Sequence, residues 1–188
     1  LTEIFRLSLS ARKPHPQCNQ PDTCICIEAP MPSLDLNQRL STHFTLREAV
    51  RSQVANRWKI DNTPPIELIP AMVRVAEHIL EPTRAHVKTP IIPSSFYRCP
   101  ALNTAVGSDN PHSQHTKGQA VDFEIAGFTN YEIAKWISEN LDFDQLILEC
   151  YVPGDPSSGW VHCSYASVSE NRREILHFNG KFYAPGLS

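Results

Sequence analysis

His115, Asp122 and His162 are the residues of this 188-residue chain best suited to hold a metal ion. Two imidazoles and one carboxylate form a donor set that zinc accepts. Three protein ligands leave the fourth tetrahedral position open to water, as in a catalytic rather than a structural zinc site. His115 and Asp122 lie in Ser113-Gln114-His115-Thr116-Lys117-Gly118-Gln119-Ala120-Val121-Asp122, and His162 lies in Gly159-Trp160-Val161-His162-Cys163-Ser164. His115 stands at a turn marked by Gly118, and Asp122 returns on the strand that follows, so the two side chains can converge. Taken singly, each residue has an ordinary reading: a solvated loop histidine, a turn carboxylate and a satisfied core histidine. Taken together they point to metal. Asp122 sits between Val121 and Phe123, and His162 sits in an apolar-aromatic run; an uncompensated polar group there is costly to bury, and one zinc ion removes the cost.

The elements that must position these residues follow from periodicity and punctuation. Thr45-Leu46-Arg47-Glu48 is a capping box and predicts a helix from about Leu46 to Trp58. After Asn62-Thr63-Pro64-Pro65, the residues Ile66, Ile69, Val73, Ala76 and Leu80 repeat on one helical face, predicting a second helix that ends near Pro82 to Val87. Ile91 to Arg98 reads as a short strand leaving the core, followed by a Pro/Asn/Ser-rich loop to His112 that should wall the site. Ala120 to Phe123 alternates, with Asp122 on the wet face. Thr129-Asn130-Tyr131-Glu132 repeats the capping box ahead of a third helix of about ten residues. Asp144 to Cys150 and Trp160 to Tyr165 are alternating strands joined by the loop Tyr151 to Gly159. Gln145, Ile147 and Glu149 share a strand face, so Glu149 can meet His162 across the hairpin, while Cys150 and Cys163 should turn to the core. The order of elements is α+β.

Composition narrows the partners. A formal net charge of -3 with mixed signs and no basic run leaves no footprint for nucleic acid or an anionic membrane surface. No apolar run approaches the roughly 20 residues of a membrane span, and Leu1 to Ser10 lacks the pattern of a signal peptide. Residues 1–40 carry Pro14, Pro16, Pro21, Pro30 and Pro32 and read as an extended arm ahead of a single domain at 41–188. Cys18, Cys24 and Cys26 in that arm either close a small loop by disulfide or stand as free thiols.

Ser113-Gln114-His115 with Gly118, Ala120 and Asp122, followed by Trp160-Val161-His162, resembles the zinc D-Ala-D-Ala carboxypeptidases and their phage endolysin relatives. That superfamily also holds the lysostaphin-type peptidases and the hedgehog domain. The resemblance extends from about Leu40 to Tyr183 and includes His43-Phe44-Thr45-Leu46, Asp61-Asn62-Thr63-Pro64-Pro65, Leu80-Glu81-Pro82-Thr83-Arg84 and Ser94-Ser95-Phe96-Tyr97-Arg98. It implies a small antiparallel sheet flanked by helices, one zinc on His115, Asp122 and His162, and a peptidoglycan stem peptide as substrate. It also implies that Arg98 contacts a substrate carboxylate or carbonyl. Several members place an acidic residue three positions before the last histidine, where this chain has Gly159. Glu149 replaces it as general base and acid, in a layout similar to that of hedgehog, where a glutamate ends the strand before a His-Cys-Ser segment; Asp155 is the reserve candidate. Ser113 and Trp160 are expected at the substrate, and His112 in the exposed loop. Two alternatives share the fold: a zinc-bearing module used only for binding, and a wall hydrolase carried on a phage particle through residues 1–40. The expected place of action is the bacterial cell wall.

Overall fold

The computed structural model describes residues 34–108, 110–155 and 158–187, so most of the expected arm, with Cys18, Cys24 and Cys26, lies outside the described residues. Among the described residues, five strands form one sheet in the order β1-β3-β2-β4-β5: β1 Ala120–Phe123, β2 Gln145–Glu149, β3 Trp160–Ser164, β4 Glu174–Phe178 and β5 Tyr183–Pro185. All pairings are antiparallel except β2 with β4, which run parallel. Helices complete an α+β fold.

One face of the sheet is the core. Val121, Cys163 and Leu146 stand in register, as do Phe123, Val161 and Leu148, and all six are buried. They pack with Met72 and Val75 of α3 (Ile69–Val75) and with Ile133, Ala134 and Ile137 of α6 (Asn130–Asn140). The side chains one step along each strand therefore project from the opposite face, where the site is built. Leu34, Leu36 and Leu40 also pack against the core.

The helices depart from the periodic reading in instructive ways. Leu46–Val50 (α1) and Gln53–Trp58 (α2) are two helices, not one. Arg51 is extended, and the Ser52 hydroxyl accepts a hydrogen bond from the Ala55 amide at 3.2 Å, so a serine cap restarts the helix where apolar spacing alone would run through. After a 3-10 turn at Ile66–Leu68, α3 passes through a π-helical segment, Ala76–Leu80, into α4 (Glu81–Val87). Pro82 lacks an N–H and would meet the His78 carbonyl in a regular helix; the wider π turn precedes it, with the Glu81 amide bonded back to Ala76. Ile91 to Arg98 is not a ladder strand. Pro90 and Pro93 remove donors, and only Ser95 bridges β1, at Asp122. The loop after it contains a helix missed in the sequence, α5 (Pro100–Ala105), with proline at its first position and the Cys99 thiol at its N-cap.

Candidate metal centre

Asp122, His162 and Ile147 lie side by side on β1, β3 and β2, and His115 enters from the 3-10 turn Gln114–Lys117 that leads into β1. Gly118 ends that turn at φ 66°, and a Cβ there would sit 2.9 Å from the Met72 side chain, so glycine allows the turn to close on α3. Asp122 Oδ1 is 2.8 Å from His162 Nδ1 and 3.2 Å from His115 Nε2. The three residues are 4 to 8% exposed, so the face expected to be wet is closed over at Asp122.

The hydrogen bonds show why this group fits a metal. His115 Nδ1 lies 2.6 Å from the Phe96 carbonyl, which can only accept, so Nδ1 carries the proton. Burial lowers the pKa of His115 and favours the neutral ring, whose Nε2 lone pair then faces the Asp122 carboxylate. With the ring neutral, two acceptors 3.2 Å apart need a proton or a metal ion between them, and burial disfavours the proton. Burial opposes ionisation of Asp122, and its carboxyl is held well below its ordinary range only where positive charge at His115 and the hydrogen bond from His162 outweigh that cost; with His115 neutral, a metal cation takes the place of its charge. A neutral imidazole held by a carbonyl and an ionised carboxylate are the protonation states a divalent ion needs.

Glu149 stands one row away. Trp160, Glu149, Phe178 and Tyr183 are in register across β3, β2, β4 and β5, forming a cross-strand row on the site face. All four line a cleft of about 940 Å³ that also contains the metal group. Burial raises the pKa of Glu149, although the charge of His162 pulls the other way. The Gly159 position, where the resemblance leads one to look for an acid, is closed to a side chain: Gly159 has φ 68°, and a Cβ on it would lie 1.9 Å from the Glu149 carbonyl oxygen. The hairpin thus brings the backbone at Gly159 against that of Glu149 and Cys150, and the carboxylate that lines the cleft on this hairpin is that of Glu149. Asp155 is exposed and does not line the cleft.

Arg98 is placed differently from a free substrate clamp. Its Nε donates to Ser95 Oγ at 2.7 Å and its Nη2 to Asp122 Oδ2, leaving Nη1 without a partner among the described residues. Ser113 stands at the N-cap position of the turn that carries His115, where its carbonyl rather than its hydroxyl accepts from Thr116, and it lines the cleft with His112 and the exposed Trp160. Cys163 is buried, but Cys150 is only part-buried, because β2 ends at Glu149 and Cys150 adopts φ 51° rather than continuing the alternation. The sequence reading missed Phe178, Tyr183 and the Arg172–Asp144 ion pair (2.7 Å), which also line the cleft. A signal was present: Glu174-Ile175-Leu176-His177-Phe178 is a five-residue strand pattern stopped by Asn179-Gly180.

Residues 42–164, which contain the metal group and Glu149, match the family model described as peptidase M15. The chain belongs to this family. No curated protein matches the chain. Membership of the M15 peptidases makes it a metallopeptidase of a typically zinc-dependent family that acts on peptidoglycan. The match ends at the last residue of β3, so β4 and β5, which carry Phe178 and Tyr183 into the cleft, lie beyond it. No helix among the described residues is long and apolar enough to cross a membrane.

Proposed function

We propose that this chain hydrolyses a peptide bond in the stem or cross-link of bacterial peptidoglycan, with one zinc ion held by His115, Asp122 and His162 and with Glu149 as general base and acid. The observation that carries the reading is the contact of a neutral His115 Nε2 with the Asp122 carboxylate in a buried site, which a divalent cation resolves. When bound, zinc would polarise the scissile carbonyl and acidify the attacking water. Glu149 takes the proton of that water on a carboxylate whose basicity is raised by burial, and returns it to the leaving amine. Arg98 orients Asp122 from behind and offers its free Nη1 to the substrate. Ser113 accepts from Thr116 through its carbonyl and leaves its hydroxyl to the cleft, and Trp160 presents an aromatic wall beside the base.

Peptidoglycan as substrate puts the place of action at the bacterial cell wall. Delivery as a phage lysin or as a particle-borne wall hydrolase is compatible with the same site, and residues 1–40 are then the segment that would dock on particle proteins.

The test is zinc content measured alongside release of new amino termini from purified peptidoglycan, for the wild-type chain and Glu149→Gln. Stoichiometric zinc in both, with release by the wild type alone, supports the peptidase reading. Zinc in both with release by neither would favour a zinc-bearing binding module instead.

A further inference from the structure

The cleft does not stop at Arg98. A second hollow of about 530 Å³ lies beyond it, lined by Arg51, Ser52, Asn56, Ser94, Tyr97 and Arg98 among others, and it shares Arg98 and Val106 with the metal cleft. Arg98 therefore lies on the wall common to the two hollows, bonded to Asp122 of the metal cleft.

The charge of the hollow is one-sided. Two guanidinium groups line it and no carboxylate does. The charge of Arg98 is met by Asp122, whereas Arg51 has no ion-pair partner among the described residues, and the one hydrogen bond of its guanidinium there is a long one of 3.5 Å to the Pro93 carbonyl. Arg51 is exposed, and it sits at the extended break between α1 and α2, which places it on the hollow rather than on a helix flank. The remaining polar lining, including Ser52, Asn56 and Ser94, offers neutral hydrogen-bonding groups, as an extended peptide needs.

We infer that this hollow is a substrate subsite for a carboxylate-bearing residue of the peptide, recognised by Arg51, two to three residues from the bond that is cut. The inference rests on the proposed peptidase reading for its substrate. An extended peptide advances about 3.3–3.6 Å per residue, and two to three residues let it pass Arg98, which lines both hollows. An unpaired guanidinium suits a carboxylate in particular, because it can donate two parallel hydrogen bonds to it. A neutral amide at the same place would leave one of those donors unmatched.

The experiment measures equilibrium binding to the zinc-loaded full chain carrying Glu149→Gln, so that no peptide is consumed. The probes are stem-type peptides with one free carboxylate two or three residues from the scissile bond, on its amino side in one set and its carboxyl side in the other, each compared with its carboxamide. In one set the carboxylate should bind about tenfold more tightly than the amide. Adding Arg51→Gln should bring that ratio to about one, and Arg51→Lys should keep part of it, with zinc content and thermal midpoint showing that each variant is folded. Equal affinity of acid and amide in both sets, no binding of either, or a preference that survives Arg51→Gln would overturn the subsite. The peptidase reading fails separately, if the zinc-loaded wild type releases no new amino termini from wall material or from these peptides.

Discussion

The two flanks of the sheet are built to different standards. β1 is buried along its whole length, and the metal group it shares with β3 is 4 to 8% exposed and tied by short hydrogen bonds. β4 is part-exposed at every residue, and Tyr183 on β5 is 54% exposed, stacked on Phe178 at 4.5 Å. A metal site gains from rigid, dry ligands, because a ligand that wanders loses coordination geometry. A wall that meets substrate gains from accessible, adaptable surface. Glu149 sits on the boundary, on β2, with Trp160 on one side and Phe178 on the other.

The largest effect should come from breaking the rigid flank. His162→Ala or Asp122→Ala is expected to remove bound metal and to lower kcat/KM by at least about 10³-fold, since several kcal/mol of charge stabilisation leave with the ion. Metal content and peptidoglycan hydrolysis measured on the same preparation check this, and a variant that keeps full activity without metal would refute the site. Glu149→Gln, on the boundary, should keep metal but lower kcat about 10²- to 10⁴-fold.

Gly159→Ala tests whether the hairpin holds the base in place. The new methyl group would collide with the backbone of Glu149, so the strand must shift; a loss of about 1–3 kcal/mol in stability with a fall in kcat is expected, while metal is retained. Denaturant unfolding and metal analysis read the two parts separately.

The adaptable flank should act through pH rather than through metal. A base works when deprotonated, so activity is present above the pKa of Glu149 and is lost as pH falls through it. Burial raises that pKa above its ordinary 4.5, which moves the acid limb upward. Phe178→Ala lets water reach the carboxylate and should move the acid limb of kcat/KM to lower pH with metal content unchanged; an unmoved limb would mean that the β4 wall does not tune the base.

The smallest effect belongs to Arg172, whose hydrogen bonds to Asp144 hold that carboxyl below its usual range. A depressed folded-state pKa contributes stability above the unfolded value, and that contribution is lost as pH falls through the folded one. Arg172→Gln should cost about 1 kcal/mol or less at neutral pH, given the exposure of the guanidinium, and the difference from wild type should shrink in acid. Thermal midpoints across the acid range would show it.

Much of the rigid flank was legible in the chain. A carboxylate between Val121 and Phe123, a histidine inside an apolar strand, and a second histidine before a glycine turn are residue types that burial makes expensive without a cation, so their chemistry shows in one dimension. Strand alternation was enough to put Glu149 on the face of His162, and capping boxes marked the starts of α1 and α6. The adaptable flank was harder to read. β4 pairs in parallel with β2, a pairing between segments 29 residues apart that no local pattern specifies. The Cys99 cap of α5 and the Ser52 restart of α2 depend on single side-chain bonds that periodicity does not register.

The sequence by itself determined which groups can do chemistry, because ionisation, metal affinity and the cost of burial belong to residue types. Tertiary structure decided which of their atoms are free to do it. Arg98 is expected at the substrate, and its guanidinium is found bonded to Ser95 and Asp122 with Nη1 left over; Arg51 falls inside the span expected as one helix, and the chain breaks there and lines a hollow. Gly159 reads as a missing acid until the Glu149 carbonyl is found where its Cβ would be. Those outcomes depend on distances across the sheet and between loops, and such distances are set by packing rather than by neighbours in sequence.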